Sequence, residues 1–367
     1  MKLPAVFRSW CVLGLVGGLA IVRAQDIPLT PETLQMLLQR FPAADANGDG
    51  VLSEAEARAY YAKMRSAKPA APARAGIAPA PTQADVAYGP ASRQVLDFWQ
   101  AKSDRPTPVV VYIHGGGFLS GDKSKAREEK LVQQCLDAGV SFAAINYRFL
   151  AVDVPIQQVL RDCARAVQFI RSKAGEWNLD RARVAAYGNS AGAGASLWLG
   201  SHDDLAEPGH ADPVRRESSR LVCAGVISGQ YSYNIFRWQE VFGEAALQRF
   251  GGRYLLPEFA GLKSEADLRG ASGRAALADV DMEGLLSADD APVFVSAALP
   301  GLELENTNQF LHHPKHAQKI MERCRAVGVP VVASIPALGV KPAAGEPATW
   351  RDFLFARLGV KSQPSAK

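Results

Sequence analysis

The sequence lacks the features that mark several classes of protein. Its 367 residues include five cysteines and no CxxC pair, which argues against a zinc site and against a small disulfide-stabilised domain. Neither sign of charge dominates, because 41 Lys and Arg face 37 Asp and Glu, so no nucleic-acid partner is indicated. The 48% of hydrophobic residues excludes a disordered chain. We expect a folded protein with a sizeable core in one large domain or two.

Long hydrophobic runs are also missing, apart from a short one at the start. Lys2 and Arg8 precede an apolar run over residues 10–22. Val22 and Ala24 then place small side chains at positions −3 and −1 before a predicted cleavage site. This pattern predicts a signal peptide over 1–24 and hence an exported protein, periplasmic or secreted. A membrane anchor is the alternative, although the run is short for a bilayer. After cleavage we expect no stable membrane insertion.

The remaining cysteines leave a choice open. Cys135, Cys163, Cys223 and Cys324 would stay in the exported chain. An exported protein can pair four cysteines in three ways. A domain of this size does not need disulfides, which favours free, buried thiols.

One segment near the N-terminus has the spacing of an EF-hand calcium loop. The residues that would supply oxygen ligands are Asp45, Asn47, Asp49, Val51 through its carbonyl, Ser53 through water, and Glu56 with both oxygens. Gly50 permits the sharp turn in the middle of the loop. Helical spacing on both sides predicts an EF-hand-like hairpin over 27–65, with Ca²⁺ in a structural role. A metal-free Asp- and Gly-rich turn that caps a helix is the alternative.

The rest of the chain is predicted to be one α/β domain. Residues 66–83 are rich in Pro and Ala and form a linker. From 84 to 360, short apolar runs alternate with longer helical patterns, which predicts a mostly parallel sheet with helices on both faces. The predicted strands are 109–113, 141–145, 183–187, 221–227, 292–297 and 329–335. The predicted helices are 125–138, 155–174, 191–200 and 314–327.

A G-x-S-x-G motif at residues 188–192 follows a predicted strand and precedes a predicted helix. The strand-to-helix turn is tight, so small residues are needed two before and two after the serine. Such a turn lifts the Ser190 hydroxyl above the sheet and directs the Ala191 amide at a developing oxyanion. A Gly- and Ser-rich turn without chemistry is the alternative for this motif alone.

A second motif, HGGG at residues 114–117, follows the predicted strand at 109–113. In esterases and lipases this loop supplies backbone N–H groups to the oxyanion hole. His114 is interpreted as a structural histidine that organises the loop rather than as a base.

Residues 85–350 resemble the α/β-hydrolase fold, and more narrowly the hormone-sensitive-lipase-like and feruloyl-esterase-like carboxylesterases of bacteria. The matching segments include PVVVYIHGGGFLSGDKS, AAINYRF and RVAAYGNSAGAGASLWL. The resemblance implies that Ser190 is the nucleophile and that the amides of Gly116, Gly117 and Ala191 hold the oxyanion. It implies a small ester or an acylated carbohydrate as substrate, and no organic cofactor.

The resemblance ends where a serine triad needs its acid and its base. The family places an acid after the strand at 292–297 and a histidine after the strand at 329–335. Here the first place offers only Glu303 and Glu305, and no histidine follows His316.

Two explanations are left open. In one, a histidine just after the acid position reaches Ser190: His312, His313 or His316, with His313 taken as the candidate. We favour instead a helix cap at His313-Pro314 for these histidines. In the other explanation, the site is catalytically degenerate and only binds a ligand. Ester hydrolysis is the leading function and a degenerate binding protein the alternative.

Overall fold

The computed structural model describes residues 34, 38, 44–57, 59–60, 77–151 and 153–361, which fall into two compact units. The smaller unit includes a loop at 45–53, with helical residues at 34 and 38 before it and at 54–57 and 59–60 after it. The predicted signal peptide at 1–24 and the linker up to residue 76 lie outside the described residues. The larger unit starts at Ile77.

Eight strands form one sheet in the described part of the larger unit, in the order β1-β2-β4-β3-β5-β6-β7-β8. The strands are β1 Gln83–Ala87, β2 Val95–Trp99, β3 Thr107–Ile113, β4 Ser141–Ile145, β5 Leu179–Asn189, β6 Cys223–Ile227, β7 Val293–Ser296 and β8 Val331–Ser334. β1 and β2 pair antiparallel with their neighbours, and β3 to β8 pair parallel. The predicted mostly parallel sheet is confirmed. The two antiparallel strands β1 and β2, at one side of the sheet, were not predicted.

The helices cover both faces of this sheet. They are α1 Leu131–Asp137, α2 Ile156–Ser172, α3 Ala191–Ser201, α4 Ile235–Phe242, α5 Glu244–Phe250, α6 Glu265–Arg269, α7 Ala271–Ala278, α8 Met282–Leu285, α9 Thr307–Leu311, α10 Pro314–Val327 and α11 Trp350–Arg357. In the described part of the chain, none of the helices has the length and apolar character needed to cross a bilayer.

The central strand β3 shows why two layers of helices are needed. All seven of its residues are buried, and its side chains alternate between the two faces. Val109, Val111 and Ile113 join a core with α2, α3 and α10, whereas Val110 and Tyr112 join a second core with α1 and α11. A sheet buried on both faces is the arrangement that the alternating sequence pattern predicts.

The four cysteines lie in these cores. Cys135, Cys163, Cys223 and Cys324 are all buried and all free. The favoured expectation of free thiols is therefore confirmed.

Candidate active site

The turn at Ser190 has a strained backbone. Ser190 has φ 54° and ψ −120°, a conformation that side chains rarely adopt, between the end of β5 and the start of α3. A Cβ on Gly188 would lie 2.4 Å from the Gly192 carbonyl carbon, and one on Gly192 would lie 2.0 Å from the Ile113 oxygen. Both glycines are therefore required by close backbone approach. The turn raises the half-buried Ser190 side chain above the sheet, as the motif predicts.

The HGGG loop leaves the sheet beside this turn. Ile113, the last residue of β3, pairs with Gly188 in β5. A Cβ on Gly115 would lie 2.7 Å from the Asn189 oxygen and 3.5 Å from the Ser190 Cβ. Gly116 and Gly117 follow with positive φ angles of 117° and 61°. The loop and the N-terminus of α3, whose first amides have no partner within the helix, therefore meet near Ser190.

His114 is buried beneath the HGGG loop rather than at the serine. Its Nδ1 donates to the Gly115 carbonyl at 2.8 Å, and Tyr147 donates its hydroxyl to the His114 carbonyl at 2.6 Å. Burial lowers the pKa of His114 to about 4. The ring is therefore neutral at pH 7 and holds the loop in shape, in agreement with its interpretation as an organiser.

The histidine that reaches the serine is His312. Its Nε2 lies 2.8 Å from Ser190 Oγ. Its Nδ1 lies 3.0 Å from both the main-chain and the side-chain oxygen of Asn308. Because both Asn308 oxygens are acceptors, the ring proton is on Nδ1, and the Nε2 lone pair faces the serine hydroxyl. Burial lowers the pKa of His312, and its hydrogen bond to Asn308 offsets only part of this, so the ring is neutral at pH 7.

His313 does not contact Ser190. Its Nε2 donates to the Leu302 carbonyl at 3.0 Å, and its Nδ1 accepts from the Lys315 amide, so it caps the N-terminus of α10. The backbone explains the difference from His312. His312 ends α9 near φ −114°, ψ 19°, whereas His313 is extended at φ −57°, ψ 137°, and the two rings point different ways. The cap interpretation holds for His313 and is wrong for His312.

His316 also lies away from the serine. It is buried in α10, and its Nε2 donates to the Phe310 carbonyl at 3.1 Å. Burial lowers its pKa to about 3. Together, His313 and His316 bond to the loop before α9 and to α9 itself, the helix that ends next to His312.

The two glutamates proposed as acids do not contact His312. Glu303 is exposed, and its charge acts on His313, whose pKa burial lowers and Glu303 raises. Glu305 is exposed, and its amide donates to the Gln309 side chain. The place of an acid beside the imidazole Nδ1 is taken by the uncharged amide of Asn308.

Asn308 was missed by the sequence analysis, although a signal for it exists. Asn306 caps α9 by accepting a hydrogen bond from the Gln309 amide at 3.0 Å. An Asn followed by a short apolar-containing run predicts a helix start, and residues four apart then share a face. That spacing places Asn308 next to His312.

Gln230 connects this helix to the sheet. It is buried after β6, and its Nε2 donates to the Leu311 carbonyl at 2.6 Å. Tyr233, three residues later, contacts α3 so closely that a Cβ on Gly194 would lie 1.8 Å from its hydroxyl. The segment after β6 therefore packs against the helix behind Ser190 and fixes the end of the helix before His312.

Comparison with known proteins matches the nucleophile side of this site. Residues 96–231 match the BD-FAE family model. The chain is 28% identical over 165 residues to a probable isoprenylcysteine alpha-carbonyl methylesterase of Arabidopsis thaliana, covering 45% of this chain and 34% of that protein. It is 32% identical over 85 residues to Esterase LipI of Mycobacterium tuberculosis, covering 23% and 26%. The chain spans about a third or less of the length of these curated relatives.

Solved structures share the fold of two thirds or more of the chain at low identity. A bifunctional GH43-CE protein of Bacteroides eggerthii superposes with a TM-score of 0.56 at 19% identity, covering 75% of this chain and 38% of that one. An acetyl ester-xyloside bifunctional hydrolase from Caldicellulosiruptor lactoaceticus superposes with a TM-score of 0.50 at 20% identity, covering 66% and 76%. The chain has the α/β-hydrolase fold. Together with this fold, the family-model match and the esterase relatives support membership of an esterase family.

The family match covers only part of the α/β-hydrolase site. The matched residues 96–231 contain the HGGG loop and Ser190 and end before His312. His312 therefore lies in a region that the family model does not reach. It follows β7, whereas the resemblance places the catalytic histidine after β8.

The predicted calcium loop forms a separate candidate site in the smaller unit. Gly48 and Gly50 have positive φ angles of 74° and 78°, which turn the loop back on itself. Asp45 accepts from the Gly50 amide at 2.9 Å, and Asp49 accepts from the Val51 amide at 2.8 Å. Both bonds therefore hold the turn of the loop through its own backbone amides.

Glu56 closes the same loop. It accepts from the amides of Ala46 and Asn47 at 3.1 and 3.2 Å and from the Ser53 hydroxyl at 2.6 Å. Its carboxylate thus joins the last position of the loop to the second and third. The oxygen-only donor set suits Ca²⁺. In this structure the carboxylates are bonded to amides, and no cluster of three or more His, Cys, Asp or Glu placed to hold a metal occurs among the described residues.

Proposed function

We propose that the protein hydrolyses carboxylic esters, with Ser190 as nucleophile and His312 as general base. The observation that carries this is the 2.8 Å contact between Ser190 Oγ and His312 Nε2. The strained Ser190 backbone adds to it, because such strain persists where the surrounding structure holds a reactive residue in place.

The proposed mechanism is acyl transfer in two steps. His312 Nε2 takes the hydroxyl proton as Ser190 Oγ attacks the ester carbonyl carbon. The amides of Gly116, Gly117 and Ala191 stabilise the negative charge on the carbonyl oxygen. The C–O bond to the alcohol then breaks, and His312 returns the proton to the leaving alcohol. Water attacks the acyl-enzyme with His312 again as base, which releases the acid and restores Ser190.

Asn308 has a positioning role in this mechanism. Its two oxygens hold the Nδ1–H proton and keep Nε2 free for Ser190. Serine and cysteine hydrolases on several folds use a third residue in this way, and an Asn occurs among the variants. Because Asn308 is uncharged, it stabilises the imidazolium form less than a carboxylate does. We therefore expect a slower enzyme than one with an acid in this position.

The proposed substrate is a small ester or an acylated carbohydrate. Support comes from the solved neighbours, one named as an acetyl ester-xyloside hydrolase and another as a carbohydrate esterase from gut microbiota, with a TM-score of 0.53 at 12% identity. The predicted export signal at 1–24 would place the protein, and hence its substrate, outside the cytoplasm. Edman sequencing of the exported protein, with Gln25 as the first residue, would test the cleavage site.

Hydrolysis of 4-nitrophenyl acetate and of acetylated xylose tests the function. We expect activity well above background that falls by roughly 10⁶ in Ser190→Ala. Ser201→Ala is the matched control, because Ser201 is buried at the far end of the same helix α3. Equal inactivity of wild type and Ser190→Ala toward several acyl lengths would instead support the degenerate, ligand-binding alternative.

We also propose that the loop from Asp45 to Glu56 binds Ca²⁺ in a structural role. The spacing of its oxygen-bearing residues and the positive φ at Gly48 and Gly50 support it. Calorimetric titration with Ca²⁺ should give a Kd of about 10⁻⁴ to 10⁻³ M, as in extracellular modules. Glu56→Gln should abolish this heat, and Glu54→Gln, which changes the same charge off the ligand positions, should retain it. A titration without heat in wild type would contradict calcium binding.

A further inference from the structure

A guanidinium group lies on the HGGG loop and is not used by the proposed mechanism. Arg253 Nη1 donates to the Gly117 carbonyl at 2.8 Å. Gly117 is the residue whose own amide is proposed to hold the oxyanion, so the guanidinium is bonded to the next peptide group along the chain. The contact is close enough that a Cβ on Gly117 would lie 2.8 Å from Arg253 Nη1.

The backbone next to Arg253 is firmly held. Its neighbour Tyr254 is buried in the insertion between β6 and β7 and packs on Trp238 and Phe259 with ring centroids 4.9 Å apart in both pairs. Tyr254 also stacks on Tyr233, the residue that contacts α3. The guanidinium is therefore presented from a packed aromatic cluster that also supports the helix behind Ser190.

Among the described residues, no carboxylate forms an ion pair with Arg253. Its side chain is exposed, and the ion pairs of the described residues include Arg237, Arg269 and nine other arginines but not Arg253. A guanidinium carries five N–H donors, and the Gly117 carbonyl takes one of them. The remaining donors form a planar fork that matches a carboxylate.

The rest of the site favours an anion. A serine triad ordinarily places a carboxylate beside its histidine, and that charge would repel a negatively charged substrate. Here Asn308 occupies the place of that acid and is bonded to His312, which is bonded to Ser190. None of these three side chains carries a negative charge. The N-terminus of α3 adds a partial positive charge at the serine.

Building on the proposed ester hydrolysis, we propose that the site selects esters that carry a carboxylate near the scissile bond, and that Arg253 binds this carboxylate. Two sources of the charge are compatible with this position, the acyl group and the alcohol. Arg253 is then a specificity-determining residue, and its bond to Gly117 places the bound carboxylate in a fixed position relative to the oxyanion hole.

Two pairs of esters, each a charged and a neutral member, test this selectivity. For the acyl side, 4-nitrophenyl hydrogen adipate is compared with 4-nitrophenyl hexanoate. For the alcohol side, 4-acetoxybenzoate is compared with 4-acetoxybenzamide. In wild type we expect kcat/KM to favour the charged member about tenfold in one of the pairs, and the pair that shows it identifies the source of the charge. The preference should weaken as salt is added.

Variants then decide the role of Arg253. The charged-to-neutral ratio should fall to near one in Arg253→Gln and to an intermediate value in Arg253→Lys, which keeps the charge but loses the fork. Arg269→Gln is the matched control, because this exposed arginine of the same insertion is paired with Glu265. A wild-type ratio of one or less in both pairs, or a ratio unchanged in Arg253→Gln because both rates fall together, would overturn the proposal.

Direct binding separates this proposal from ester hydrolysis itself. Adipate and 4-hydroxybenzoate are titrated into wild type and Arg253→Gln by calorimetry. Binding of either that is lost in Arg253→Gln supports the carboxylate site even if wild type hydrolyses none of the esters. Absence of binding together with a ratio of one would contradict the site while leaving neutral-ester hydrolysis intact.

Discussion

The two sides of the active site are built on different constraints. On the β3–β5 side, strands, turn and helix follow one another directly, and Gly188 and Gly192 leave no room for a side chain, because a Cβ on Gly192 would lie 2.0 Å from the Ile113 oxygen. On the β7–α9 side, the His312 ring is placed by its hydrogen bonds to Ser190 and Asn308. A histidine that needs only to contact the serine hydroxyl can come from more than one loop of the fold. The strained turn that carries the serine has to stay between its strand and its helix. This difference explains why one side matches the family and the other departs from it.

The largest expected effect separates the two neighbouring histidines. His312→Ala should lower kcat toward 4-nitrophenyl acetate by about 10⁴-fold or more, because the general base is lost. His313→Ala removes the cap of α10 and should reduce stability by about 1 kcal/mol while leaving most of the activity. Equal losses of kcat in the two variants, at matched folded fractions, would erase the distinction between them.

The rigid side can be tested through its glycines. Gly192→Ala would push a methyl group against the Ile113 carbonyl. We therefore expect the free energy of unfolding, measured by urea denaturation, to fall by about 3 kcal/mol. Gly175→Ala is the control, because its Cβ would meet no atom within 4 Å. A Gly192→Ala protein as stable as the control would show that the turn is less constrained than its contacts indicate.

The β7–α9 side can be tested by placing an acid beside His312. Asn308→Asp places a carboxylate beside His312 Nδ1, which raises the pKa of the imidazole and stabilises its charged form. We expect kcat/KM to rise by about tenfold at pH 8, and Asn308→Ala to lower it. The base must be neutral to act, so activity falls as pH drops through its pKa.

The pH profile supplies the check on this variant. Burial lowers the pKa of His312 in wild type, so its acid limb should lie below pH 6.5, and in Asn308→Asp it should move to higher pH. An unmoved limb would contradict His312 as the titrating base.

The smallest effect compares one buried histidine from each side. Burial lowers the pKa of His114 to about 4 and that of His316 to about 3, below the value of about 6.5 in an unfolded chain. The unfolded state therefore binds protons first, and stability present above pH 6.5 is lost as the pH falls toward these values. We expect each of these histidines to make the free energy of unfolding, measured in urea, about 1–2 kcal/mol lower at pH 5 than at pH 7. The loss should be smaller in His316→Phe, and an equal loss would contradict this assignment.

The sequence was most informative where local backbone geometry decides the structure. The strands from 109–113 to 329–335, the turn at Ser190 and the helix 314–327 are confirmed because their patterns of burial and small residues are local. The antiparallel strands β1 and β2 and the short helices between Ile235 and Leu285 were not predicted, because segments of four to eight residues carry little periodicity.

The base could not be assigned because it depends on tertiary reach. Three histidines within five residues offered equal chemistry, and the choice was made by the end of α9, where the chain turns between His312 and His313. Asn308 was overlooked because the family pattern directs attention to carboxylates. Its amide satisfies the imidazole without one.

Covalent labelling of Ser190 by a fluorophosphonate is the most direct test of the His312 assignment. This reagent needs an activated serine and no knowledge of the substrate. Intact mass should show one adduct on wild type and on His313→Ala at similar rates, none on Ser190→Ala, and labelling at least about a hundredfold slower on His312→Ala. Labelling of His312→Ala at the wild-type rate would contradict His312 as the base, and absence of any adduct on wild type would contradict a nucleophilic Ser190.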